Sequence, residues 1–228
     1  MQTDRVTIVF TDLERSTELL ECLGDMAFEQ LRRAHFDILR GPLVAFGGVE
    51  VKNVGDGLML VFARPGQALL YCQEVQRMAA EFSERQDDRP LRIRMGVHAG
   101  TPICAEDDYF GTAVVVASRL CDRAAGGQIL ISRATVDGNR GQLAEPLQDV
   151  GPLRLKGLSK PVHAVALGAG APTADVVAAQ PPWKGGLEAN PSWPRAGGTS
   201  RSRHCAGARR RIAGRSPGGS RPGRRRPA

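Results

Sequence analysis

The stretch from Val49 to Phe62, VEVKNVGDGLMLVF, limits what this chain can fold into more than any other. Val49, Val51 and Asn53 alternate with Glu50, Lys52 and Val54, and a Gly-Asp-Gly step leads into the unbroken apolar run Leu58 to Phe62. Alternation, a turn and a short continuous apolar run predict a β-hairpin with one buried strand. Gly55 and Gly57 supply backbone freedom, and Asp-Gly is a strong hairpin-turn signal. Taken alone, Asp56 is a turn former.

A second stretch gives that aspartate a possible partner. Val6 to Phe10 (VTIVF) is a short β-branched, apolar run that ends in Thr11-Asp12. It reads as a buried strand with a carboxylate at its C-terminal edge. Two carboxylates at the ends of neighbouring buried strands suit Mg²⁺ or Mn²⁺. Such ions take hard oxygen ligands, commonly one or two carboxylates plus substrate phosphates.

The rest of the chain supplies alternating helices and strands. A helix is expected to open at Ser16-Thr17-Glu18, capped by Ser16 or Thr17, with Leu20, Leu23, Ala27, Leu31, Ala34 and Ile38 on its buried face. His35 lies beside that face and is expected at the helix surface or partly buried. Pro65 opens a second helix carrying Ala68, Cys72, Val75, Ala79 and Phe82. Gln86 to Pro90 reads as a polar loop, and Leu91 to Gly100 as a strand with His98 at a sheet edge. Gly111 to Ala125 reads as a third helix, Gln128 to Ser132 as a strand and Arg133 to Val136 as a short helix. Leu153 to Leu155 and Val162 to Leu167 complete the strands. The expected order is β-α-β-β-α-β-α-β-β-β, an α/β (α+β) sandwich with a mixed or antiparallel sheet.

Three blocks, FTDLERST (Phe10–Thr17), KNVGDG (Lys52–Gly57) and DYFGTAVVVASRL (Asp108–Leu120), resemble the signatures of class III nucleotidyl cyclases. The resemblance runs from about Arg5 to about Leu167. It implies a ferredoxin-like βαββαβ core with extra C-terminal strands. It also implies adenylate cyclase activity: the ribose 3′-hydroxyl attacks the α-phosphate, giving a 3′,5′-cyclic nucleotide and pyrophosphate.

By the same resemblance, Asp12 and Asp56 hold two Mg²⁺ or Mn²⁺ ions, with the Leu13 carbonyl as an extra ligand. Backbone N–H groups from Leu13 to Thr17, including those of Ser16 and Thr17, cradle the triphosphate. Lys52 and Asp108 match the base-selecting pair. A lysine donor and an aspartate acceptor complement adenine, so ATP is the expected substrate. Arg119 matches the transition-state arginine; its bland reading is a helix-surface residue paired with Asp122 or Glu106. The sites are expected between two chains of a head-to-tail homodimer.

Two positions depart from the pattern. Val115 stands where the family usually has a ribose-orienting asparagine, and Arg15 stands where small residues are common. A C-terminal lysine has no clear match, although Lys156 and Lys160 are nearby. These departures lower the expected turnover to a modest or lost activity and motivate the alternative of a degenerate cyclase domain that binds nucleotide or a protein partner.

The net charge of +7 is unevenly distributed. Residues 171–228 carry 12 basic and 2 acidic side chains, whereas residues 1–170 carry 19 and 22. Residues 1–168 are therefore read as the catalytic domain, and 169–228 as a basic, low-complexity tail expected to be disordered. The tail reads either as a non-specific nucleic-acid binder or as a shifted reading frame through GC-rich sequence. Its lack of aromatics among the arginines favours the second. No apolar stretch spans a bilayer, and no signal peptide is evident, so a cytoplasmic location is expected. The five cysteines are odd in number and show no zinc-site spacing.

Overall fold

The computed structural model describes residues 4–85, 91–137 and 146–167. The loop Gln86–Pro90, the expected domain boundary at 168/169 and the basic tail lie outside these residues. The first half comprises β1 (Val6–Leu13), α1 (Ser16–Leu23), α2 (Asp25–Arg40), β2 (Gly48–Val54), β3 (Gly57–Phe62) and α3 (Pro65–Glu84). The second half comprises β4 (Ile93–Gly100), β5 (Ile103–Ala105), β6 (Asp108–Phe110), α4 (Thr112–Arg123), β7 (Ile129–Ser132), α5 (Arg133–Val136), β8 (Gln148–Leu153) and β9 (Val162–Leu167).

Seven strands form one mixed sheet in the order β2-β3-β1-β4-β7-β9-β8, and β5 and β6 form a separate ribbon. Side-chain alternation divides the core between the two faces of this sheet. Val9 and Leu13 of β1 join a cluster with Leu39 of α2 and Leu69 and Val75 of α3. Val6, Ile8 and Phe10 join a second cluster with Ala113 and Ala117 of α4 and Tyr109 of the ribbon. β1 and β3 are covered on both sides, which explains their nearly unbroken apolar sequences. Fully burying a side chain such as Leu69 or Val75 contributes about 1.5–3 kcal/mol. The buried Tyr71 hydroxyl donates to the Leu39 carbonyl at 2.7 Å, tying α3 to α2.

On the other face, α4 lies directly on β4. A Cβ added at Gly96 would fall 2.1 Å from the Cys121 nitrogen and 2.2 Å from the Ala117 carbonyl oxygen. Glycine is what permits this approach.

Several local expectations change. β1 extends to Leu13, so Thr11 and Asp12 belong to the strand. The first predicted helix is two helices, broken at Gly24 with φ 72° and ψ 164°. The position preceding α1 is Arg15, and no side chain caps that helix, contrary to the expectation for Ser16 or Thr17. The β5–β6 ribbon was not expected, and β8 lies at Gln148–Leu153 instead of Leu153–Leu155. β4 sits between β1 and β7, so His98 is on an interior strand, with Nδ1 2.7 Å from the Ser132 hydroxyl. His35 is fully buried. No described helix is long and apolar enough to cross a membrane.

Candidate active site

Antiparallel pairing of β1 with β3, and of β3 with β2, brings the β2–β3 turn beside the end of β1. Val54 pairs with Gly57, leaving Gly55 and Asp56 as a two-residue turn. Gly55 takes φ 68° in the first turn position, where type II′ hairpins put glycine. Gly57 is needed for a different reason. A Cβ there would sit 1.8 Å from the Thr11 carbonyl oxygen, so only glycine lets the turn lie against β1. The Leu58 N–H donates to the Thr11 hydroxyl at 2.9 Å, and the Asp56 carbonyl is 2.7 Å from His35 Nε2.

This arrangement brings Asp12 and Asp56 together. Burial and a hydrogen bond with the Asp56 carboxyl push the Asp12 pKa up to about 7. The Asp56 charge adds to the rise, and Arg94 opposes it. Arg94 stands opposite Asp12 in the β1–β4 register, and its Nε donates to Asp12 Oδ2 at 2.7 Å. The sequence reading missed Arg94. Its alternation between buried Ile93 and Met95 puts it on the same sheet face as Asp12, but only strand pairing reveals the contact.

Two adjacent carboxylates form an oxygen-rich donor set of the kind that suits a divalent cation. Among the described residues, no group of three or more His, Cys, Asp or Glu side chains could hold a metal ion. Leu13 ends β1 with its side chain in the core, so it faces the site only through its backbone.

The turn after β1 is fastened to neighbouring elements. The Glu14 N–H donates to the Arg92 carbonyl at 2.9 Å, and Glu14 Oε1 accepts from the Gly126 N–H at 2.8 Å. Arg15 is left-handed at φ 58°, and its guanidinium pairs with exposed Glu18 at 2.5 Å. Ser16 and Thr17 occupy the first turn of α1. A depression of about 430 Å³ beside this turn is lined by Glu14, Arg15, Glu18, Leu19, Cys22 and Arg92, but not by Asp12 or Asp56.

Lys52 and Asp108 come together from β2 and β6, with Lys52 Nζ 2.5 Å from Asp108 Oδ2. The ammonium also lies 5.7 Å from the Phe110 ring centroid. On α4, Arg119 Nη1 donates to Asp122 Oδ2 at 2.6 Å, the helix-surface pairing anticipated as its bland reading. Its buried Nε has no hydrogen-bond partner among the described residues. Val115 lies one turn earlier and is 37% exposed. Lys156 and Lys160 are exposed between β8 and β9.

The family model for the adenylate and guanylate cyclase catalytic domain matches residues 1–167. The chain belongs to this family. An adenylate cyclase of Mycosarcoma maydis is 36% identical over 163 residues, covering 61% of this chain and 6% of its own length. An adenylate cyclase of Lachancea kluyveri is 38% identical over 154 residues, covering 57% of this chain and 8% of its own length. The chain therefore spans less than a tenth of these curated relatives. Among solved structures, an adenylyl cyclase from P. aeruginosa is 25% identical with a TM-score of 0.59, covering 76% of this chain and all of that one. The mixed sheet with its helices is thus a cyclase-domain architecture.

Proposed function

We propose that this cyclase domain converts ATP to 3′,5′-cyclic AMP and pyrophosphate. The observation that carries the reading is the meeting of Asp12 and Asp56 at the end of β1. In the proposed reaction the substrate's 3′-oxygen forms a bond to the α-phosphorus. The bond from that phosphorus to the bridging oxygen of pyrophosphate breaks, and the 3′-hydroxyl proton is released. Bound Mg²⁺ or Mn²⁺ ions would lower the pKa of the attacking hydroxyl and neutralise charge on the phosphates.

The protein's part is positioning and charge complementarity. Asp12 and Asp56 would hold the cations, with the Leu13 carbonyl as a further ligand. Backbone N–H groups at the start of α1, near Ser16 and Thr17, receive the triphosphate. Lys52 donates to the adenine ring nitrogen, and Asp108 accepts from the 6-amino group. Their 2.5 Å contact supports this role, because donor and acceptor arrive from different elements at hydrogen-bonding separation. Arg119 leaves Asp122 to meet charge on the phosphates.

Each site is shared between two chains in this reading. Asp12 and Asp56 come from one copy; Lys52, Asp108 and Arg119 come from the other. Residues 1–168 form the catalytic unit, and 169–228 a tail outside it.

The test is incubation of the chain with ATP and Mn²⁺, with cyclic AMP detected by mass spectrometry. Asp12→Ala and Arg119→Ala chains are each expected to be inactive, and their mixture to regain activity through dimers with one intact site. No cyclic AMP from the wild-type chain would overturn the activity. A mixture that stays inactive after verified chain exchange would overturn the shared site.

A further inference from the structure

We propose that His35 is a positioning residue for the cation site, holding the Asp56 main chain so that its carboxylate is presented to the metal. This rests on the reading of Asp12 and Asp56 as cation ligands.

The geometry is specific. His35 lies fully buried on α2, within the stripe formed by Leu31, Ile38 and Leu39. Its Nε2 is 2.7 Å from the Asp56 carbonyl oxygen. A carbonyl oxygen can only accept, so Nε2 carries the proton and donates. Thr11 and Gly57 fasten the turn on its β3 side. On its β2 side, nothing lies within 4 Å of a Cβ built at Gly55. The imidazole is a side-chain contact made directly on the Asp56 peptide.

Histidine here gains one hydrogen bond, to the Asp56 carbonyl, and carries a cost. The Nδ1 atom is buried without a hydrogen-bond partner among the described residues, which is unfavourable. A leucine would fill an apolar stripe without an orphaned polar atom, but it would leave the Asp56 carbonyl unheld. Groups that orient a metal ligand commonly change metal affinity by about 10–100-fold when removed.

The experiment titrates Mn²⁺ into the full chain without nucleotide, counting free Mn²⁺ by electron paramagnetic resonance. Wild type, His35→Leu, His35→Gln and Asp56→Asn are compared, with folding checked by circular dichroism. The glutamine amide nitrogen reaches approximately the position of Nε2 and can donate to the same carbonyl. His35→Leu is expected to lose about 10–100-fold in Mn²⁺ affinity, and His35→Gln to keep most of it. Wild-type affinity in His35→Leu, or equal losses in both His35 variants, would overturn the proposal while a loss in Asp56→Asn upholds the cation site. Equal Mn²⁺ binding by wild type and Asp56→Asn would overturn the cation reading and this proposal together. Should His35→Leu fail to fold, ¹⁵N-histidine spectra of the wild type decide. A protonated Nε2 whose resonance shifts with Mg²⁺ supports the role, and an unprotonated or unresponsive Nε2 overturns it.

Discussion

Asp12 and Asp56 sit among buried contacts from four segments, whereas Val115 and Arg119 ride on a partly open face of α4. At the carboxylate end, Thr11, His35 and Arg94 each hold a particular atom by a hydrogen bond, and Gly57 permits the close approach of the turn to β1. On α4, Arg119 is held by an i,i+3 pair to Asp122, whose side chain is 52% exposed. Such surface pairs contribute about 0.2–1 kcal/mol and are readily exchanged for another anion. The carboxylate end is fixed by contacts within one chain, whereas Arg119 holds only an exchangeable surface partner. That division suits a site whose halves come from different copies.

The largest expected effect tests the carboxylate end. Asp56→Ala should lower cyclic AMP formation by at least about 10²–10³-fold, the order associated with losing a fixed transition-state contact. The secondary structure by circular dichroism should not change, because the turn is held by backbone and neighbouring groups. Mn²⁺-dependent turnover equal to wild type would break the comparison at its stronger side.

A smaller effect is expected on the α4 face. Val115→Asn should raise kcat by up to about tenfold, roughly 1.4 kcal/mol of barrier. Valine offers no hydrogen bond, whereas asparagine offers a donor and an acceptor one turn from Arg119. KM for ATP should change little if the contact orients the 3′-hydroxyl mainly in the transition state. Steady-state assays at saturating Mn²⁺ measure both constants. An unchanged kcat in a folded protein that binds ATP would remove Val115 as the limit on this half of the site.

The smallest effect concerns the cost of bringing the two carboxylates together. The folded pKa of Asp12 is about 7, above its unperturbed value of 3.8. Between these values the folded domain binds more protons than the unfolded chain, so this contribution to stability falls as pH rises towards 7. Asp12→Asn should therefore melt above wild type at pH 8 in chelator, by about 2–4 °C per kcal/mol of strain relieved. The gap should narrow as pH falls through about 7 towards 4. Calorimetry across this range provides the measurement. A wild type that melts at or above the variant at pH 8 would show that Arg94 fully offsets the carboxylate pair.

Much of this architecture was legible locally. The apolar run of β3 and the three- and four-residue spacing of α3 each report burial through their own period. The same rule placed His35 near the buried stripe, four residues after Leu31 and three before Ile38, although its full burial was missed. The break at Gly24 escaped notice because Leu20, Leu23 and Ala27 keep helical spacing across it. The three-residue strands of the β5–β6 ribbon were too short to show a period.

The sequence by itself determined which positions are candidates: Asp12 after an apolar strand, Asp56 in a glycine-flanked turn, and Arg119 on a helix, one turn after Val115. Only the tertiary structure decided their company. Strand register put Arg94 opposite Asp12, the glycine approach at Gly57 set the turn against β1, and α2 brought His35 to the Asp56 carbonyl. Periodicity along a chain encodes which face is buried, but not which residue lies across it. That choice arises when distant strands and helices compete for the same apolar surface, and it settles where buried polar groups find partners.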